Sequence, residues 1–305
     1  MRVQSAVCVV MLLFTAAGCG GGKVGGASAS NAPGGPLAGN WQIVLAEGVP
    51  RIPAQLLVSG FLLQSKNSIT GSVQVPGNGA QGQQKCAGVG LLSGTVDGNS
   101  VTFAINEGGT TLTFNGALSS DGTMAGDYEG PGGACLGSAT SGTWTAAEIP
   151  ELNGNFSGTI SNSSYMALVT GMNADQVPPI QISATFNQSP NIGASNATLT
   201  GTMNAQGYPC FATAYLTGTI SGSNVVLSVF GFDGTLIGSL GTGTAPATVS
   251  SGSSGVSLTT VIPSSLVLGE ILPGGTQQGP CPKLLDASGN TVQFDNASLA
   301  LTQKQ

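Results

Sequence analysis

Residues 86–105 read CAGVGLLSGTVDGNSVTFAI, and residues 210–229 read CFATAYLTGTISGSNVVLSV. The two stretches align without a gap, 124 residues apart. A cysteine opens each block. Leu92-Ser93-Gly94-Thr95-Val96 faces Leu216-Thr217-Gly218-Thr219-Ile220, and Val101-Thr102-Phe103-Ala104-Ile105 faces Val225-Val226-Leu227-Ser228-Val229. Side chains of a strand point to opposite faces in turn, so the alternation at Val101, Phe103 and Ile105 is the mark of a half-buried strand. Asp97-Gly98 between two such runs marks a tight hairpin, because glycine adopts the positive φ that the turn needs. The chain therefore contains one β-hairpin unit written twice.

Working outward, the duplication extends through most of the chain. Leu37-Ala38-Gly39-Asn40-Trp41 matches Leu152-Asn153-Gly154-Asn155-Phe156, and Ile69-Thr70-Gly71-Ser72 matches Leu199-Thr200-Gly201-Thr202. Trp41, Ile43 and Leu45 alternate with Asn40, Gln42 and Val44. Ile180, Ile182, Ala184 and Phe186 alternate with Gln181, Ser183, Thr185 and Asn187. Further turn signals fall at Asp121-Gly122, Gly222-Ser223 and Asp233-Gly234. The pattern predicts an all-β chain of two tandem antiparallel domains, 37–150 and 151–305, each of roughly seven or eight strands in hairpin succession. Such a meander closes readily into an up-and-down barrel, which removes its exposed edges. Hairpin signals do not fix sheet closure, so Greek-key sandwiches are the alternative. The copies diverge after about residue 240. Residues 261–285, with Pro263, Pro273, Pro280 and Pro282, have no counterpart in the first copy and read as a long loop tied down by Cys281.

Composition narrows the class. The 305 residues include 49 glycines, 7 lysines and arginines, 13 acidic residues and no histidine. Glycine at that level argues against long helices, since each costs up to about 1 kcal/mol in a helix interior. So few cations exclude a nucleic-acid binder, whose affinity comes from neutralising phosphates. They also leave no polybasic patch for anionic lipid.

The N-terminus supplies an address. Arg2, the apolar stretch Ala6–Thr15 and the small residues Ala16-Ala17-Gly18 read as a secretory signal over 1–18. The apolar run is too short to span a bilayer, which takes about 20 residues. Cys19 follows the cleavage site directly and precedes Gly20-Gly21-Gly22. This arrangement resembles the lipobox of bacterial lipoproteins, with Ala16 where that motif most often has Leu. The resemblance implies that Cys19 receives a diacylglyceryl group and becomes the first mature residue. It further implies anchoring to the cell envelope, and Gly20 implies sorting to the outer membrane. Residues 19–36, rich in Gly, Ala, Ser and Pro, read as a flexible tether.

Cysteine usage agrees with export. Cys86, Cys135, Cys210 and Cys281 remain in the folded part, and an even number in an oxidising compartment suggests two disulfides. Each copy holds one early and one late cysteine, so Cys86–Cys135 and Cys210–Cys281 are the expected pairs. Zinc is the minor alternative, since neither a C-x-x-C pair nor a histidine is present.

Gly39-Asn40-Trp41 resembles the G-x-W that opens the first strand of lipocalins, and avidin-like barrels resemble the pattern equally well. The resemblance implies a barrel that holds a small apolar ligand, with Trp41 and Trp144 as candidate wall residues. Plain core packing is the competing reading of both. Without histidine, no Ser-His-Asp or Cys-His constellation can form, and no lysine sits in an S-x-x-K motif. The densest acidic cluster, Asp121, Asp127 and Glu129, reads as a turn and a solvated strand face rather than a calcium or catalytic site. The five N-x-S/T sequons read as chance matches. The sequence asks for no cofactor or metal. It leads to the expectation of a lipid-anchored extracytoplasmic protein, not an enzyme. Its partners would be the bilayer and a small apolar ligand. The alternative is a structural or interaction protein of the envelope with no ligand.

Overall fold

The computed structural model describes residues 35–47, 55–75, 88–131, 141–189, 194–208, 212–242, 246–253, 255–262, 270–271, 277–278 and 297–304. The signal, Cys19 and nearly all of the tether lie outside these residues. So do Cys86, Cys135, Cys210 and Cys281, and most of the proline-rich segment 261–285.

The first copy is a closed eight-stranded barrel. Its strands are β1 (Gly39–Glu47), β2 (Gln55–Ser65), β3 (Ser68–Val75), β4 (Gly88–Asp97), β5 (Ser100–Glu107), β6 (Thr110–Leu118), β7 (Met124–Glu129) and β8 (Ser141–Ile149). Every strand pairs antiparallel with its sequence neighbour, and β1 closes on β8 with Leu45 opposite Trp144. The meander barrel, not the Greek-key sandwich, is therefore the fold.

The second copy follows the same plan over β9 (Gly154–Ser161), β10 (Ile180–Gln188), β11 (Ala197–Asn204), β12 (Thr213–Ser221), β13 (Asn224–Phe230), β14 (Leu236–Leu240), β15 (Ala247–Gly252), β16 (Gly255–Val261) and β19 (Ser298–Gln303). Strand β12 pairs with β13, and β19 pairs with β9, which closes the wall. Strands β14 and β15 share one edge of β13: Leu240 lies opposite Leu227, and Ala247 lies opposite Val225. They are one interrupted wall position, the counterpart of β6. The apparent divergence after residue 240 is thus a break within a strand, followed by a long insertion between β16 and β19. Within that insertion, β17 (Glu270–Ile271) and β18 (Gln277–Gln278) form a minimal hairpin.

A short helix, α1 (Ser164–Thr170), lies between β9 and β10. The periodicity gave no hint of it. Its ends explain it locally: the Ser163 hydroxyl accepts from the Met166 amide at 3.1 Å, and Gly171 terminates it at φ 70°.

The invariant glycines of the two hairpin blocks have a packing reason. Gly94 lies opposite Phe103, and Gly218 lies opposite Leu227. A Cβ on Gly94 would come within 2.4 Å of the Phe103 Cβ, and one on Gly218 within 1.9 Å of the Val226 carbonyl oxygen. Each glycine lets the facing strand fold closely over the core.

Candidate functional site: filled barrels and the contact between them

Inward-facing residues form one buried core in each barrel. In the first, Trp41, Trp144, Tyr128 and Phe114 are at most 1% exposed. Phe103 stacks on Phe114 with ring centroids 4.5 Å apart, and Trp144 meets both edge-on at 5.1 and 5.8 Å. The Trp41 indole N–H donates to the Leu37 carbonyl at 3.0 Å, which ties the segment leading into the first strand across the barrel end. The Trp144 N–H is shared between the Asn115 and Asp127 carbonyls at 3.3 and 3.2 Å. Both tryptophans satisfy their polar atom within the wall, so both are core residues rather than walls of an open chamber. In the second barrel, Phe156 takes the place of Trp41 and meets Phe186 edge-on at 5.2 Å, among Leu199, Leu216 and Leu227.

A cavity at one end of the first barrel, lined by Leu56, Val75, Ile105, Glu107, Thr110 and Leu112, holds about 10 Å³. That is room for one water molecule. Burial pushes the Glu107 carboxyl above its ordinary range. A groove of about 500 Å³ along Thr111, Thr113, Glu129, Pro131 and Ser141 is open to solvent and polar.

The acidic residues sit where the pattern placed them. Asp127 and Glu129 point outward on β7, on either side of the buried Tyr128. Asp121 accepts from the Thr123 hydroxyl at 2.7 Å and from its amide at 3.0 Å, bonds that hold its carboxyl below the ordinary range. Asp233 does the same for its own turn through Thr235. Among the described residues no group of three or more acidic, cysteine or histidine side chains could hold a metal. No described helix is long and apolar enough to cross a membrane.

The most specific polar arrangement lies between the barrels. The Asn40 side chain donates to the Gly222 carbonyl at 2.9 Å and accepts from the Gly222 amide at 2.8 Å. Gln42 Oε1 accepts from the Ser223 amide and hydroxyl at 3.0 and 2.9 Å. The Ser59 and Ser221 hydroxyls lie 2.8 Å apart, and the Phe61 amide donates to the Ala194 carbonyl at 3.1 Å. The turn between β12 and β13 is thereby seated on the outer wall of β1 and β2. Phe61 is outward-facing on β2, yet only 6% exposed, because it enters the second barrel's apolar cluster together with the half-buried Ile149. Alternation alone assigned Asn40 and Gln42 to the polar face and stopped there. One signal was present: residues 56–63, LLVSGFLL, are apolar on both faces, which is the pattern of a strand covered on both sides.

Compared with protein-family models, curated proteins and solved structures, the chain matches none.

Proposed function

We propose that the mature chain is a lipid-anchored extracytoplasmic protein of the bacterial envelope that works through the outer surface of its twin barrels. The observation carrying this reading is the occupied interior. Five aromatic side chains, Trp41, Phe103, Phe114, Tyr128 and Trp144, stand where a carrier of the lipocalin or avidin kind would hold its ligand. Pockets for small molecules run to about 300–1,000 Å³, against the 10 Å³ enclosed beside Glu107. Binding rather than catalysis is supported by the lack of any histidine and by carboxylates committed to turns and outer strand faces. The anchor is supported by the cysteine at the one position acylation requires, and more than one chain is needed for stable attachment.

Two measurements test the two halves of this reading. Labelled palmitate is expected in the wild-type product and absent from Cys19→Ser; equal labelling of both, or none in the wild type, overturns the anchor. Native mass spectrometry of the gently purified protein is expected to show the chain mass alone. A co-purifying molecule at one or two per chain would restore the small-ligand carrier.

A further inference from the structure

The contact between the barrels is heterologous, since a side wall of the first receives a turn of the second. Duplication means that the chain carries the wall asparagine and the turn glycine of this contact twice. Asn155 corresponds to Asn40, each following the glycine that opens a barrel's first strand. Gly98-Asn99 corresponds to Gly222-Ser223, and the glycines share one backbone angle: φ is 57° at Gly98 and 56° at Gly222. Among the described residues, only the first wall and the second turn are used within the chain. A Cβ on Gly222 would lie 2.6 Å from both Gln42 Oε1 and the Ser59 Cβ, whereas one on Gly98 would meet no atom within 4 Å. Residues 97–100 are exposed, as are Asn155, Ser183 and Thr185 on the second wall.

We propose that the free turn Asp97–Ser100 of one molecule docks on the β9–β10 wall of a second copy at Asn155, repeating between chains the contact made within each. The contact already present within the chain supports this occupant: Gly98 has the φ of Gly222, and Asn155 holds the same place on its strand as Asn40. A contact of this kind either closes two chains into a ring of four alternating barrels or continues as an open row. It is the weaker of the two contacts. Thr185 and Ser157 stand where Phe61 and Gln42 stand in the first barrel, so less apolar surface is removed from water. The intramolecular copy also gains an effective concentration of roughly millimolar from the covalent linkage.

The inference specifies one partner for the outer-surface reading, and its test is independent of acylation and of any co-purifying molecule. Sedimentation velocity is run on the mature chain carrying Cys19→Ser, from about 10 μM to about 1 mM. The weight-average sedimentation coefficient is expected to rise across that range and to stay flat for Asn155→Ala. Asn155 is exposed, and circular dichroism melts verify that the fold is kept. A parent that remains monomeric throughout, or an Asn155→Ala chain that associates like the parent, overturns the inference.

Discussion

Replacing Asn40 by alanine separates the two barrels energetically, whereas the same change at its duplicate Asn155 does not. Asn40 is 2% exposed and pairs both of its side-chain groups with the amide and carbonyl of Gly222. Truncation leaves two buried backbone groups without partners, each worth about 1–3 kcal/mol. Partial relaxation of the turn gives an expected total loss of about 2–4 kcal/mol, which shifts a urea midpoint by about 1 M. The assay has a built-in reporter. The chain's 2 tryptophans, Trp41 and Trp144, both sit in the first barrel, so fluorescence follows that barrel alone while circular dichroism follows both. In the parent the two curves are expected to coincide, and in Asn40→Ala to separate. Asn155 is exposed, and Asn155→Ala is expected to remain within about 0.5 kcal/mol of the parent. Equal losses for the two variants, or an Asn40→Ala curve matching the parent, would refute the reasoning.

Three further outcomes follow from the same geometry. Trp144→Ala removes the ring that meets Phe103 and Phe114 and is expected to destabilise the first barrel by about 3–5 kcal/mol, read as a lower denaturant midpoint. Burial, and then the nearby charge of Glu151, raise the Glu148 carboxyl above its ordinary range. Its folded-state pKa therefore exceeds the unfolded one, and ionisation favours unfolding. Glu148→Gln is expected to melt higher than the parent near neutral pH, with the difference vanishing as pH falls below about 4. The effect is small because the side chain is partly exposed to solvent. Finally, the β3–β4 and β7–β8 connections leave the same end of the first barrel, and the β11–β12 and β16–β19 connections leave one end of the second. Non-reducing peptide mapping is expected to recover Cys86–Cys135 and Cys210–Cys281, and a cross-barrel pair would contradict this.

Much of the fold was legible because it is governed by local rules. Alternation at Val101, Phe103 and Ile105 named the inner face, and Asp97-Gly98 named the hairpin. Where locality fails, the reading failed with it. Strand β6 has a broken counterpart because pairing with β13 jumps from Leu240 opposite Leu227 to Ala247 opposite Val225, and no period of two survives such a jump. The helix α1 is held by one serine cap and one glycine, too short a segment for its 3.6-residue period to stand out.

The candidate site divides in the same way. Trp41 and Trp144 were visible as large inward residues on the first and last strands, but whether they wall a chamber or fill it depends on what the other six strands place between them. Phe103, Phe114 and Tyr128 decide that they fill it.

By itself, the sequence determined the duplication, the all-β class and the strand faces, because each is written in residues adjacent in the chain. Only tertiary structure decided that the barrels are occupied and that Asn40, Gln42, Ser59 and Phe61 form an interface. Those outcomes depend on groups more than a hundred residues apart meeting at hydrogen-bond distance, and no local period encodes such a meeting.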